Sequence, residues 1–216
     1  SAARLQCRDA LSRHAVVSRR LRTCPQVTYN LTMTALRDGS LWTAVDRWFD
    51  ATLLSTELNG APLPATRVRR VMSDVTAGIA AMHAEQIILR ELHPDHILVR
   101  QQDQQCVLTD LELAKLLDAE ATVSSRWQPN PYRAPEVAGG ECRFQADIFS
   151  CARLCTHLLT GVADEYPADR EAVKRHLPKS DLCTALVSAL SPNWKKRPKS
   201  ITTIQDALAE LGHVDE

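Results

Sequence analysis

The sequence predicts a single domain of the α+β class that is mostly helical and has a minor β component. Residues 66–84 carry apolar side chains at steps of three and four, as a helix with one buried face requires. Residues 146–159 are strongly apolar, which is typical of a central buried helix. Short apolar runs at 97–99 and 106–109 flank a polar turn, a pattern that indicates a small β-hairpin. Two buried helices and one hairpin therefore define the fold class.

The other elements follow from local composition and from turn residues between the periodic segments. In chain order they are a helix at 3–22 that ends before Pro25, a strand at 27–33, a turn at 37–40, a helix at 41–54, a loop with Gly60, Pro62 and Pro64, a loop at 116–133, and helices at 168–177, 181–190 and 201–211. No internal repeat or low-complexity tract interrupts this order.

The composition is that of an ordinary globular protein and narrows the classes of function. The 216 residues are enough for one domain with a sizeable core. The 26 basic and 26 acidic residues balance, so no overall charge favours nucleic acid or a membrane surface. No apolar run approaches the roughly 20 residues that cross a bilayer, and no signal peptide opens the sequence. Cys151 and Cys155 lie one helical turn apart in an apolar segment, which predicts buried thiols in a cytoplasmic or nuclear protein.

Two neighbouring segments carry the most specific signal. Residues 89–99 read L-R-E-L-H-P-D-H-I-L-V, and residues 108–115 read L-T-D-L-E-L-A-K. They resemble the catalytic loop H-R-D-L-x-P-x-N-I-L-V and the metal-binding segment T-D-F-G-L-A-K of protein kinases. On this resemblance, Leu89 stands at the histidine, Glu91 at the catalytic aspartate, His96 at the asparagine and Glu112 at the glycine of D-F-G.

Four later segments extend the resemblance to protein kinases over residues 31–211. They are Y-R-A-P-E at 132–136, D-I-F-S at 147–150, L-L-T-G at 158–161 and K-R-P at 196–198. The resemblance implies a protein kinase-like large lobe with a reduced or missing small lobe. Residues 1–35 would be the remnant of the small lobe, and residues 36–216 would form the large lobe.

The resemblance also assigns structural roles. Glu136 and Arg197 are expected to form a buried ion pair, whose disruption leaves an uncompensated charge that costs roughly 3–5 kcal/mol. Asp147 is expected to accept backbone N–H groups of the loop that contains Arg90, a charge-assisted contact that sets the shape of the loop. Leu111 and the leucine at position 89 replace two packed side chains and remain apolar.

This sequence lacks several of the residues that the family uses for phosphoryl transfer. Phosphoryl transfer needs a glycine-rich loop over the phosphates, a lysine anchor, metal ligands and a base. The first lysine is Lys115, and only Gly39 and Gly60 occur in the first 60 residues. The positions that the resemblance makes degenerate are Glu91 for the base, His93 for a lysine, His96 for a metal-binding asparagine and Glu112 for a glycine, with Asp110 retained as a metal ligand.

These changes predict a pseudokinase domain without a bound cofactor, a metal or catalytic residues. A base that is one methylene longer is misplaced by about 1 Å, which can cost on the order of 100-fold in rate. Mg²⁺ prefers oxygen ligands, which an imidazole does not supply. The domain is predicted to be a protein–protein interaction scaffold or regulatory module in a larger chain or complex, and it resembles Tribbles-type and Bub-related pseudokinases. Its predicted partners are proteins, and we expect no membrane, nucleic acid or small-molecule substrate.

Several alternatives remain open from the sequence. The L-H-P-x-H and D-L-E segments also resemble aminoglycoside and choline kinases, so a divergent phosphotransferase that uses Mg-ATP on a protein or a small alcohol is the second hypothesis. The remaining alternatives are a metal site at His83, His93, Asp95 and His96, a partner-binding surface on the six arginines of helix 3–22, and phosphorylation at Thr122, Ser124 or Ser125 with Arg90 as the phosphate clamp.

Overall fold

A computed structural model of the chain describes residues 2–35, 42–118, 130–140, 142–163, 169–209 and 211. Within these residues the α-helices are α1 (Ala2–Arg20), α2 (Ala65–Ala84), α3 (Pro135–Ala138), α4 (Phe144–Thr160), α5 (Asp169–His176), α6 (Asp181–Ala189) and α7 (Thr202–Leu208). The strands are β1 (Asn30–Ala35), β2 (Trp42–Asp46), β3 (Ala51–Leu53), β4 (Ile87–Ile88), β5 (Ile97–Arg100), β6 (Cys106–Leu108) and β7 (Lys115–Leu116). The α+β class is therefore confirmed, with about half of the described residues in helices.

The core forms around α2 and α4. The apolar face of α2 is fully enclosed, with Val68, Met72 and Ile79 each 0 % exposed. Most positions of α4 are buried, including the thiols of Cys151 and Cys155. Both predicted helices are therefore confirmed. Their pattern was a reliable signal because a helix face that is apolar at every turn is stable only when it is buried.

The end of α4 is fixed by a glycine. Gly161 adopts a φ of +74°, and a Cβ atom placed there would lie 2.5 Å from the carbonyl carbon of Ala61. The backbone N–H of Leu63 donates to the carbonyl of Leu158 at 2.8 Å. The loop that precedes α2 therefore packs directly on the last turn of α4, as only a residue without a side chain allows.

The predicted hairpin is confirmed and belongs to a larger sheet. β5 pairs with β6 in antiparallel register, with Ile97 opposite Leu108. β3 adds to the other edge of β5, which gives the order β3–β5–β6. The sequence did not predict this third strand.

The helix predicted at 41–54 is wrong. Its residues form β2, β3 and a 3-10 turn at Leu54–Glu57. Exposure alternates along β2, so the residues have the two-residue period of a strand. Trp42 and Val45 stand three residues apart, and this spacing imitates a helical face in a segment rich in aromatic and β-branched side chains.

Smaller differences lie at other element ends. The strand predicted at 27–33 begins only at Asn30, and Val27 makes a single parallel bridge to Leu108. The loop predicted from residue 116 begins inside β7, which pairs with β4. The turn at 37–40 lies outside the described residues. The predicted division between residues 35 and 36 falls between β1 and β2, which pair with each other, and it stays a prediction.

Candidate functional site

The loop at residues 89–96 lies between β4 and β5, and α4 holds it on its buried side. The carboxylate of Asp147, in the first turn of α4, accepts the backbone N–H groups of Leu89 and Arg90 at 2.9 Å each. The same carboxylate lies 2.9 Å from Nε2 of His83 on α2. Asp147 is 1 % exposed, so these contacts are sheltered from water. The two backbone contacts are those expected of Asp147, the contact with His83 is an addition, and together they hold the beginning of the loop in one conformation.

Arg90 connects this loop to the segment that follows β6. Its backbone has a φ of +67°, and its Nε donates to the carbonyl of Leu113 at 2.5 Å. The side chain is buried, and desolvation lowers the pKa of its guanidinium. Residues 122, 124 and 125, which the sequence suggested as phosphate acceptors near this arginine, lie outside the described residues. That hypothesis stays a prediction.

The carboxylate of Glu91 is held by two side chains from the segment before α3. Arg133 donates from Nη2 to Oε1 at 2.7 Å and from Nε to Oε2 at 3.1 Å. Asn130 donates from Nδ2 to Oε1 at 2.8 Å. The side chains of Glu91 and Arg133 are only 10 % and 9 % exposed. Both oxygens of Glu91 are therefore already used as hydrogen-bond acceptors inside the protein.

Neither partner of Glu91 was identified from the sequence. Arg133 directly precedes the Ala134-Pro135-Glu136 segment, so its place beside the loop could have been inferred once that segment was recognised. Its choice of partner could not, because nothing local to Arg133 indicates a carboxylate 42 residues earlier.

His96 and Asp110 form a second, more open contact. Nε2 of His96 lies 3.3 Å from Oδ2 of Asp110, and the two side chains are 28 % and 48 % exposed. Asp110 has left-handed backbone angles, φ 60° and ψ 52°. The N–H of Thr109 donates to the carbonyl of His96 at 2.9 Å and keeps the two segments in register. The structure thus brings the two predicted metal-ligand positions together as an imidazole and a carboxylate.

Glu112 lies half-buried beside this contact. Burial, and then the negative charge of Asp110, raise the pKa of the Glu112 carboxyl group. The neighbouring residue Leu111 is fully buried, and its N–H is accepted by Nδ1 of His14 at 3.2 Å. Nε2 of His14 lies 2.8 Å from Oδ2 of Asp46 on β2. The first helix therefore reaches the 110–113 segment directly, a contact that the sequence did not predict.

The ring of His93 lies beside that of His96, with the two centroids 5.7 Å apart. Its Nδ1 accepts the N–H of Asp95 at 3.2 Å, and its ring meets that of Tyr132 edge-on at 5.3 Å. Desolvation lowers the pKa of the His93 imidazole. His93, Asp95 and His96 lie near one another, but His83 points to Asp147 on α4, so the four residues of the suggested metal site do not converge. The described part of the chain contains no group of three or more side chains arranged to hold a metal ion.

The ion pair expected near the end of the chain is present and deeply buried. Nη1 and Nη2 of Arg197 donate to the two oxygens of Glu136 at 2.6 Å and 2.9 Å. Further donors of Arg197 reach the carbonyls of Ser191 at 2.8 Å and Gln145 at 3.0 Å. Its guanidinium also stacks over the ring of Phe149, 4.6 Å from the centroid. Every charge in this cluster is matched, which ties α3, α4 and the 191–197 turn together.

Comparisons with known proteins agree with this geometry. A family model described as "Protein kinase domain" matches residues 9–215. The kinase domain of PknI from Mycobacterium tuberculosis superposes with a TM-score of 0.73 over 94 % of this chain and 78 % of that chain, at 22 % sequence identity. This likeness shows the fold.

Curated relatives carry kinase names. A putative cyclin-dependent kinase F-2 from Oryza sativa subsp. japonica is 30 % identical over 112 residues, which is 49 % of this chain and 33 % of the relative. The serine/threonine-protein kinase pkn2 of Myxococcus xanthus is 24 % identical over 176 residues, which is 70 % of this chain and 21 % of the relative. The chain thus spans a third or less of the length of these relatives. None of the helices in the described ranges is long and apolar enough to cross a membrane.

Proposed function

Because this chain belongs to the protein kinase domain family, we propose that it is a catalytically inactive pseudokinase domain. It acts through protein–protein contacts, as a scaffold or regulatory module within a larger protein or complex. Tribbles-type and Bub-related pseudokinases are the models for such a role.

The state of Glu91 carries this proposal. A general base needs an oxygen that can approach the hydroxyl group whose proton it removes. The bidentate contact with Arg133 and the hydrogen bond from Asn130 occupy both oxygens of Glu91. Removing a proton with this carboxylate would first require breaking a largely buried ion pair, at a cost of several kcal/mol.

The open contact between His96 and Asp110 supports the same conclusion. Asp110 offers one exposed carboxylate, but its neighbour is an imidazole, and Mg²⁺ requires near-octahedral oxygen coordination. Glu112 adds a second carboxyl group beside that of Asp110, and negative charge there repels the phosphates of a nucleotide. No lysine precedes Lys115 in this sequence to offset that charge.

The second candidate function is a divergent phosphotransferase that uses Mg-ATP on a protein or a small alcohol. The exposure of the Asp110 carboxylate is the observation in its favour. Relatives such as pkn2 are named as serine/threonine-protein kinases. The two candidates differ in whether the chain recognises nucleotide through a metal ion.

Calorimetric titration with ATP, with and without Mg²⁺, separates them. For this chain and for the full-length protein we expect no tightening of ATP binding by Mg²⁺. A His96→Asn variant, which restores an oxygen donor, is the matched control, and an Asp110→Asn variant removes the remaining carboxylate. Tight binding that needs both Mg²⁺ and Asp110, with turnover of the terminal phosphate, would overturn the pseudokinase proposal in favour of the phosphotransferase.

A further inference from the structure

Positive charge is concentrated in one stretch of this balanced chain. Residues 170–199 hold eight basic side chains against two acidic ones, a net charge of +6, and include five of the six lysines in the sequence. One of the eight, Arg197, is neutralised by its ion pair with Glu136. The others give this end of the molecule a positive field that the overall composition hides.

This stretch folds around a cleft of about 580 Å³ between α5, α6 and the turn that follows α6. Three cationic side chains line the cleft: Arg170, Lys174 and Lys196. The hydroxyl-bearing residues Thr184 and Ser188 lie between them on α6. Among the described lining residues none is acidic and none is aromatic. The cleft is therefore cationic.

Hydrogen bonds to the backbone hold its walls in place. Nε of Arg170 donates to the carbonyl of Val187 at 3.1 Å, which links α5 to α6 and fixes the plane of the guanidinium group. Oγ of Ser188 donates to the carbonyl of Lys196 at 3.4 Å and links α6 to the following turn. The turn is anchored in the core, because Arg197 donates to the carbonyl of Ser191. A cleft formed in advance loses little conformational entropy when a ligand binds.

One cation of the cleft, Lys174, also forms an ion pair with Glu171 within the protein, and this pair is weak. Nζ of Lys174 lies 2.8 Å from Oε1 of Glu171, and these side chains are 51 % and 67 % exposed. An exposed pair of this kind contributes little free energy. A ligand with two negative charges and several oxygens would displace Glu171 from Lys174.

We propose that this cleft binds a phosphorylated serine or threonine side chain within an acidic segment of a partner protein. A phosphate monoester carries close to two negative charges and three strong acceptor oxygens, which match the three cations. The lack of aromatic lining residues favours a phosphopeptide over single-stranded nucleic acid, whose bases bind by stacking on aromatic rings. The inference names a partner class for the interaction role proposed above and rests on that role.

Fluorescence polarisation tests this site with a labelled peptide, Ala-Glu-Glu-phosphoserine-Glu-Glu-Ala, its unphosphorylated form and a 12-residue oligothymidylate. At physiological salt we expect the phosphopeptide to bind at least about tenfold more tightly than the unphosphorylated peptide, and the oligonucleotide to bind more weakly than the phosphopeptide. Replacing both cleft lysines, Lys174→Ala with Lys196→Ala, should weaken phosphopeptide binding by about tenfold or more. Lys199→Ala is the matched control, because Lys199 lies in the same basic stretch but does not line the cleft, and its effect should stay below about twofold. Melting temperatures verify that each variant is folded.

Equal affinity for the two peptides, equal losses in Lys199→Ala and the cleft variant, tighter binding of the oligonucleotide, or no binding would each overturn the inference. None of these outcomes depends on phosphoryl transfer, so the pseudokinase proposal would stand without the cleft. Conversely, turnover of Mg-ATP together with selective phosphopeptide binding would remove the pseudokinase proposal and leave the cleft.

Discussion

The two sides of the loop at residues 89–96 are built differently. On the buried side of the loop, Asp147 is 1 % exposed, accepts two backbone N–H groups and contacts His83. On the open side, Asp110 is 48 % exposed and forms a contact with the imidazole of His96. The buried side determines whether the loop can form, and the open side determines what chemistry the loop can perform. In this chain the buried side has the contacts expected for the fold, and the open side carries the changed residue His96.

The largest loss of stability is expected on removing Arg197, which links α3 to the turn of α4 that carries Asp147. We expect Arg197→Met to lower the free energy of unfolding by about 3–5 kcal/mol, because Glu136 and two backbone carbonyls lose their donor. Urea unfolding monitored by circular dichroism measures this loss. Lys199→Met, on the neighbouring surface, is the control and should change stability by less than about 0.5 kcal/mol. Similar values for the two variants would mean that the ion pair does not stabilise the fold.

A matched pair of substitutions tests the comparison itself. Asp147→Asn and Asp110→Asn each replace a carboxylate by an amide, one on the buried side of the loop and one on the open side. We expect a loss of about 3 kcal/mol for Asp147→Asn, since an amide cannot accept both N–H groups of Leu89 and Arg90. Asp110→Asn should cost less than about 1 kcal/mol, because its side chain is half exposed and asparagine tolerates left-handed angles. Equal losses in urea unfolding would remove the distinction between the two sides.

The contact between Glu91 and Arg133 lies between these extremes. A double-mutant cycle with Glu91→Gln and Arg133→Gln should give a coupling energy of about 1–3 kcal/mol, as expected for two largely buried groups in bidentate contact. The four proteins are compared by urea unfolding at pH 7. A coupling energy near zero would show that Glu91 is not held by Arg133 in solution, and would weaken the main support for inactivity.

The smallest effect is expected at Glu112. Its raised pKa means that the folded state favours the protonated carboxyl group, so stability from this residue is present below its ordinary pKa of 4.5 and is lost as pH rises through the folded-state pKa. Glu112→Gln should therefore raise stability at pH 7, by less than about 1 kcal/mol since the group is only partly buried. The gain should disappear below about pH 4. A variant that is less stable than the parent at pH 7 would contradict this assignment.

The sequence predicted those helices whose apolar side chains recur at a regular spacing. The buried faces of α2 and α4 are visible because their apolar side chains recur every three or four residues. β4 and β7 have two residues each and pair across the loop, so no local pattern marks them. The segment at 41–54 was assigned to a helix because its apolar spacing satisfied a helical period although its side chains favour strands.

The site was predictable in position and only partly in its contacts. The order of the motifs placed Glu91, His96 and Asp110 in one region, and the structure brings them together there. Other contacts of this region come from distant parts of the chain, as when His14 accepts the N–H of Leu111, 97 residues later. Such pairs depend on how α1 packs on the rest of the domain, which a single sequence does not encode in any local pattern.

Phosphoryl transfer by the full-length protein tests most directly whether this loop is a fold kept without its chemistry. Radiolabelled Mg-ATP and general protein substrates are supplied to the parent protein and to its Glu91→Gln variant, which keeps the shape of the side chain and removes its basicity. The account predicts that both proteins transfer phosphate only at the level of a sample without protein. Mg²⁺-dependent transfer by the parent that is lost in Glu91→Gln would show that Glu91 acts as a base despite Arg133, and would contradict the account.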